Sequence, residues 1–514
     1  MTKQQPRVLT IAGTDPTGGA GVQADLKSIA AAGGYGMSVV TALVAQNTRG
    51  VRQVHTPPQE FLRAQLDSVF DDVSVDAVKV GMLGDATTTA TVSDYLASHP
   101  VGTVVVDPVM VATSGDRLLS EDAEDALRQF IRDHATVVTP NIPELSVLTG
   151  TPAASTFDEA IAQGASYARN TGVFVLVKGG HLSGDDASNA LVTPSGEVHR
   201  VHVARVDTPN THGTGCSLSA ALATRLLIDA TPAHATEWAS AWLHEAIANA
   251  DALNVGQGHG PVDHFHRIRR LAASADTTPW EVNPPLPTTE LIAPRIAAAG
   301  PHTQALWDRA AAKVWPDTLA LPFIAALRHG TLSPQDFEFY LAQDAYYLGE
   351  YARALAAVAA KAPDTETQIW WSQSSVEATA GEAELHRTWF AARGMDTTVE
   401  PSPVTLGYVS FLKSETALSD YVVAAASVLP CFWLYAEVGL TLADANHPNH
   451  PFAEWLNMYG GEDFIESAAK AIAATEAALA DATEKQRELA ARAFMNACFY
   501  EREFFDQAAR RGAS

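Results

Sequence analysis

The densest chemistry in the sequence lies in TPNTHGTGCSLSAALATRLL, residues 208–227, where a glycine-bearing loop runs into an Ala/Leu-rich helix. Gly213 and Gly215 let the amides of the helix start converge, and the helix dipole favours an anion there. The Gly-Lys-Ser/Thr of a Walker A loop is missing, so the phosphate cradle expected around Gly213 and Gly215 is of another kind. Cys216 falls in the same first turn, where a thiol pKa is expected to be lowered. The plainer alternative is a tight loop followed by a small buried cysteine. Three more signals bear on the choice. VVVDPVM sets Asp107 at the end of a strand-like run, TPNIPE sets Asn141 and Glu144 after another, and KGGH begins with Lys178. Carboxylates there can organise a magnesium ion or its waters, and a lysine can meet phosphates, as phosphoryl transfer requires. Singly, each is a turn residue, a helix cap or a solvated lysine. Four at successive strand ends are hard to explain as turns only.

The stretch GAGVQA, Gly19 to Ala24, satisfies G-x-G-x-x-A after the strand-like run Val8 to Ala12. A dinucleotide fingerprint needs those glycines in the turn directly after the strand, and an acidic residue about 20 positions on. Here Gly13 to Gly18 intervene, and Gly36 to Gly50 contains no acid. These glycines have another task.

In the second half, LAQDAYYL, PSPVTLGYVSF, VLPCFWLYAEVG and ACFYEREFF stand out. Asp344 and Tyr347 are three apart, and Cys431 and Tyr435 four apart, so each pair shares a helix face. Glu501 sits among Phe499, Tyr500, Phe504 and Phe505, where a raised pKa would suit proton transfer. Spacing alone favours a packed core, with Cys431 as a small inert hydrophobe. A reactive Cys431 needs a charged or hydrogen-bonding neighbour. Cys498 reads as packing, and His447 and His450 lack a third metal ligand.

Two kinds of element must position these residues. Up to about residue 270, β-branched runs alternate with amphipathic stretches such as TFDEAIAQGASYARN, in which Thr156 and Glu159 form a capping box. That alternation predicts βαβ units and a mainly parallel sheet, with ligands beyond the C-terminal strand ends. SADTTPWEVNPPLPTTE reads as a stiff, extended linker. After about Gly300 strand signals vanish and an all-helical bundle is expected, with one helix starting at Ser333-Pro334. The run Val422 to Ala436 is shorter than a membrane span and reads as a buried helix. The expected division is 1–272, a linker over 273–298, and 299–514. Among 514 residues, 47% apolar composition supports large cores, and a net charge of -25 argues against general affinity for nucleic acid or anionic lipid. Three cysteines cannot form a disulfide framework, which together with the absence of a signal-like N-terminus predicts a cytoplasmic protein.

AGTDPTGGAGVQADLK, ALVAQNTRGV, KVGMLG, DPVM, TPNIPE, KGGH and THGTGC occur in an order that resembles the hydroxymethylpyrimidine/phosphomethylpyrimidine kinases, over about residues 6–268. The resemblance implies a ribokinase-like three-layer α/β fold, ATP and Mg2+ as cofactors, and two successive phosphorylations of the pyrimidine. It places Gly13, Asp25, Gln46, Met82 and Val109 around the pyrimidine, and Asn141, Lys178, Gly213, Thr214 and Gly215 on the nucleotide. Asp107 and Glu144 would serve the metal. Cys216 would activate the hydroxymethyl group or support its oxyanion hole. LPCFWLYAEVG, MYGG and FYEREFF resemble the thiaminase II (TenA) family, over about residues 300–512. That implies a haem-oxygenase-like all-α bundle in which Cys431 adds to the pyrimidine ring and Glu501 moves protons. Asp344 would orient the pyrimidine, and Tyr347, Tyr408, Tyr435 and Tyr459 would shape its pocket. The joint expectation is a bifunctional salvage and biosynthesis enzyme on small-molecule substrates, with a homo-oligomer implied by both families. A non-catalytic pyrimidine-binding or regulatory role for the helical half is the alternative.

Overall fold

The computed structural model describes residues 5–110, 120–275, 277–287, 291–378 and 400–510. The chain forms two compact units, Met1–Ser274 and Ala275–Ser514.

The first unit is built on an eight-stranded sheet. Six strands are parallel: β1 (Arg7–Ala12), β2 (Tyr35–Val40), β5 (Ala77–Val80), β6 (Val104–Val106), β7 (Val137–Val138) and β8 (Phe174–Lys178). Antiparallel β9 (Asn189–Val192) and β10 (Val198–Val201) complete one edge, in the order β10-β9-β8-β7-β6-β5-β1-β2. The central strands are apolar nearly throughout because helices cover both faces. Leu9, Val78, Val106 and Val138 pack into one core, while Val8, Ala77, Val105 and Val137 pack into the other. Helices α1 (Gly21–Ala31), α7 (Thr214–Arg225) and α8 (Pro232–Ala248) lie on the second face. Helices α2 (Gln59–Phe70), α3 (Ala86–Ser98), α4 (Glu121–His134), α5 (Ile142–Thr149) and α6 (Phe157–Thr171) cover the first. Thr156 and Glu159 form the capping box read from sequence, and α6 ends at Gly172 in the left-handed region. A separate hairpin, β3 (Leu43–Asn47) with β4 (Gly50–His55), carries a register shift at Ala45/Gln46.

Every parallel strand points its C-terminal end the same way. Gly13, Met82, Asp107, Asn141 and Lys178 therefore lie on one rim, each at or just past a strand end. Three layers with a ligand rim match the predicted class.

The second unit is helical among its described residues: α10 (Pro301–Ala312), α11 (Val314–Leu319), α12 (Pro322–His329), α13 (Pro334–Ala359), α14 (helical over 365–378), α15 (Pro403–Leu418), α16 (Tyr421–Leu442), α17 (Ala453–Tyr459), α18 (Glu462–Asp481) and α19 (Glu484–Arg510). Ser333 caps α13 by accepting from the Asp336 amide at 3.0 Å. The apolar stretch Tyr421–Ala445 is long enough to cross a membrane, but 94% of its most apolar window is buried among the other helices. It is a core helix, packed chiefly against α19 and α18.

The Pro-rich segment differs from the extended tether read in the sequence. Pro284 and Ile296 are buried, and the Glu437 carboxylate accepts the Arg295 and Ile296 amides at 3.0 and 2.8 Å. Trp307 and Trp433 donate to the Ile292 and Ile296 carbonyls. Tryptophan N–H groups inside the bundle need acceptors, and the segment's carbonyls supply them.

Candidate functional sites

In the α/β unit the chain leaves β1 at Gly13 and folds back on it. The Gly13 carbonyl accepts the Val22 amide at 3.0 Å, and Gly21 (φ +56) could carry no side chain, since a Cβ would lie 2.3 Å from that oxygen. GAGVQA is thus a loop closed onto the strand end and the start of α1. Buried Asp15 organises it, accepting the Thr17, Gly19 and Ala20 amides and His212 Nε2 at 2.9 Å. Against the upward push of burial, these donors hold the Asp15 carboxyl well below its ordinary value. His212 precedes Gly213 and Gly215, so this hydrogen bond ties the two glycine loops together. The loops also touch directly: a Cβ on Gly213 (φ +79) would sit 1.8 Å from the Gly19 carbonyl oxygen.

Gly13 faces Met82, whose Cε is 2.7 Å from where a Gly13 Cβ would be. Gln46 lies on the hairpin, which borders a cavity of ≈ 440 Å³ with Thr14, Pro16 and Val44. Val109 follows β6 in a turn made by its amide on the Asp107 carbonyl. Asp25, on α1, is fully buried against Lys79, whose Nζ lies 2.9 Å from both carboxylate oxygens, and Thr10 Oγ1 adds a 2.6 Å bond. Burial pushes the Asp25 carboxyl up, opposed by Lys79 and Thr10, while its carboxylate helps Lys79 keep its proton. Lys79 escaped the sequence reading although its signal is present: a lysine inside the apolar strand AVKV must have a buried counter-charge.

At the next strand ends, Lys178 Nζ donates to Asp107 at 2.9 Å and lies 3.8 Å from Glu144. Against burial, Lys178 and then Lys79 hold the Asp107 carboxyl below its ordinary value. Burial pushes Glu144 up to about 7 despite Lys178. Asn141 and Glu144 also form the reciprocal cap of α5, at 2.8 and 2.9 Å. They are helix caps and strand-end polar groups at once. A Cβ on Gly215 would lie 3.3 Å from both Asp107 Oδ2 and Lys178 Nζ, so the N-terminus of α7 abuts this cluster. Among the described residues no group of three or more His, Cys, Asp or Glu is arranged to hold a metal.

One sequence expectation is overturned. Cys216 is half-buried at the start of α7, yet burial raises its pKa to about 11. Lys79 and the Gly21 amide oppose the rise, whereas Asp25 and Asp107 add to it. Burial of the thiol outweighs the helix N-terminus here, and the two carboxylates add to the rise.

In the helical unit the predicted residues come from five helices. Tyr408 (α15) donates to Glu501 Oε1 (α19) at 2.5 Å, and both are fully buried. Glu501 Oε2 is buried without a hydrogen-bond partner. Burial lifts Glu501 to about 8, Tyr408 opposes, and Asp344 (α13) adds to the rise. Tyr347 stacks on Tyr408 at 5.0 Å, and Tyr435 (α16) contacts Tyr459 (α17) at the same separation. Burial raises the Tyr347 and Tyr408 hydroxyls, and the charges of Cys431 and Glu501 raise both further. Tyr340 was not singled out from sequence; it donates to the Tyr435 hydroxyl at 3.2 Å. Its spacing of four from Asp344 on α13 is the signal that finds it.

The α/β unit thus has the layout of a small-molecule phosphotransferase, and the helical unit holds a buried carboxyl and stacked tyrosines, with half-buried Cys431 close enough to act on Tyr347 and Tyr408. Residues 15–263 match the phosphomethylpyrimidine kinase family and 310–512 the TENA/THI-4/PQQC family. The thiamine biosynthesis multifunctional protein ThiED of Corynebacterium efficiens is 55% identical over 99% of this chain and 70% of its own length. ThiED of Corynebacterium glutamicum is 53% identical, covering 99% and 68%. The hydroxymethylpyrimidine/phosphomethylpyrimidine kinase of Salmonella typhimurium is 49% identical over 51% of this chain and 98% of its own. The chain belongs to the ThiED family of multifunctional thiamine biosynthesis proteins, joining a pyrimidine kinase domain to a TenA-like domain.

Proposed function

We propose that the α/β unit transfers phosphate from ATP to hydroxymethylpyrimidine and then to the resulting monophosphate, and that the helical unit hydrolyses an aminopyrimidine, or thiamin, to supply that alcohol. The observation that carries the kinase reading is the meeting of Lys178, Asp107 and the α7 N-terminus on the rim that also holds Gly13. The amides of Thr214, Gly215 and Cys216 face developing phosphoryl charge, and Lys178 adds a fixed cation. Asp107 and Glu144 suit Mg2+, which takes one or two carboxylates plus phosphate oxygens, and which would neutralise the phosphates when bound. Asp25, held by Lys79, keeps an acceptor toward the pyrimidine amino group. Cys216 near pH 7 is a thiol, so it serves the oxyanion as a donor rather than as a resting base. The alcohol proton then passes late to a non-bridging oxygen of the transferred phosphoryl group, as a loose transition state allows.

In the helical unit the Cys431 thiolate would add to the pyrimidine ring, its electron pair expelling the amine from the exocyclic carbon, and would leave again once water has added to that carbon. Glu501, protonated below about pH 8, gives its proton to the departing amine and takes one from the incoming water. Asp344 orients the ring and Tyr408 fixes the carboxyl. Cys431→Ser tests this directly: lost hydrolysis with retained pyrimidine binding supports it, and unchanged hydrolysis leaves a binding module. A pyridoxal-like alcohol is the rival kinase substrate, decided by comparing kcat/KM for the two alcohols. The free cysteines Cys216, Cys431 and Cys498 accord with a reducing, cytoplasmic setting. A homo-oligomer completes the proposal.

A further inference from the structure

The Pro-rich segment touches the wall of the helical site. The Trp280 ring stacks on Phe499 (centroids 5.3 Å, interplanar angle 17°) and meets Tyr500 edge-on (4.8 Å, 90°). Tyr500 in turn stacks on Tyr408 at 5.1 Å and 7°, and Tyr408 donates to Glu501. Three side chains therefore run without a break from the segment to the buried carboxyl. Trp280 is anchored in place. The Val282 amide donates to the Trp280 carbonyl at 2.9 Å, Val282 packs on the core, and Pro284 is buried.

The Trp280 indole is itself 36% exposed and covers one edge of half-buried Tyr500, which stacks on the face of fully buried Tyr408. We propose that Trp280 is a positioning residue of the helical site, through which the segment joining the two sequence families holds Tyr408 on Glu501 and keeps water from that carboxyl. Trp280 lies outside both matched families, 15–263 and 310–512. The fusion segment thereby becomes part of the helical site. The proposal rests on Glu501 being the proton donor.

The groups that act on Glu501 or feel its charge are Tyr408 on α15, Asp344 and Tyr347 on α13, Tyr435 on α16 and Cys498 on its own helix. None is on the segment, so Trp280 acts on Glu501 only through packing and water. The test uses the full chain with Trp280→Ala and Trp280→Phe. Hydrolysis of aminomethylpyrimidine is followed across pH, with kinase turnover as an internal control. The infrared band of protonated Glu501, assigned by its loss in Glu501→Gln, is titrated without turnover. The expectation for Trp280→Ala is a fall of about tenfold in kcat with little change in KM, because a misplaced proton donor costs rate rather than binding. The Glu501 midpoint should move down by about one pH unit as water enters. Trp280→Phe should restore most of both, and kinase turnover should not change. A wild-type midpoint and kcat in Trp280→Ala would overturn the proposal. So would lost activity with an unmoved midpoint, which marks a merely structural role. If the wild-type chain hydrolyses nothing, the assigned reaction fails, and the infrared midpoint still decides what Trp280 does.

Discussion

The Tyr408 hydroxyl lies 2.5 Å from Glu501 Oε1, with both side chains fully buried and Glu501 Oε2 left without a partner. A carboxyl so placed keeps its proton to about pH 8, because burial outweighs the one hydrogen bond that favours its charge. The second oxygen is the one available to a substrate.

Hydrolysis should therefore fail on the alkaline side as pH rises through about 8, where Glu501 loses the proton it must donate. Tyr408→Phe removes the bond that lowers the Glu501 pKa, so that limb should move to higher pH. The rate should fall by about 10²-fold, the scale of a misdirected general acid. A kcat profile of both proteins checks this.

Stability carries the same signature. Folded Glu501 holds its proton up to about 8, whereas an unfolded glutamate releases it near about 4.3. Between those values the unfolded state binds fewer protons, so stability falls as pH rises. Glu501→Gln should flatten that decline in the helical unit's melting temperature between about pH 5 and 8.

Lys79→Met should cost about 3–5 kcal/mol in denaturant unfolding of the α/β unit, since it strands a buried carboxylate. Adding Asp25→Leu should recover most of that loss without restoring kinase turnover. Unchanged stability in the single variant would mean that the pair at 2.9 Å contributes nothing.

Cys216 should resist alkylation at pH 7 and react progressively faster toward pH 11, in line with a thiol raised by burial. Cys216→Ala should damage phosphorylation of the alcohol more than that of the monophosphate, whose oxygen is already a competent nucleophile. Equal loss in both steps would remove the assigned role.

Much of this was legible in the chain. Strand-end polar residues, the Thr156 and Ser333 caps and the apolar α16 each follow from local pattern, and the structure shows them as such. A helix N-terminus is visible in sequence, whereas the burial that raises the Cys216 thiol, and the carboxylates Asp25 and Asp107 that add to it, arise only in three dimensions. Asp15–His212 spans 197 positions and Lys79–Asp25 spans 54, so spacing names neither partner, even where Lys79 in AVKV shows that one is needed. Trp280 lay in a proline-rich run whose composition says tether. Its ring partners, Phe499 and Tyr500, come more than two hundred residues later.

The central claim is that one chain makes hydroxymethylpyrimidine and then phosphorylates it. The direct measurement is a single incubation of the full chain with aminomethylpyrimidine, ATP and Mg2+, followed by mass spectrometry over time. The account predicts hydroxymethylpyrimidine first, then its monophosphate, then its diphosphate. Persistent aminopyrimidine, with added hydroxymethylpyrimidine still phosphorylated, would contradict the hydrolytic half and leave only the kinase.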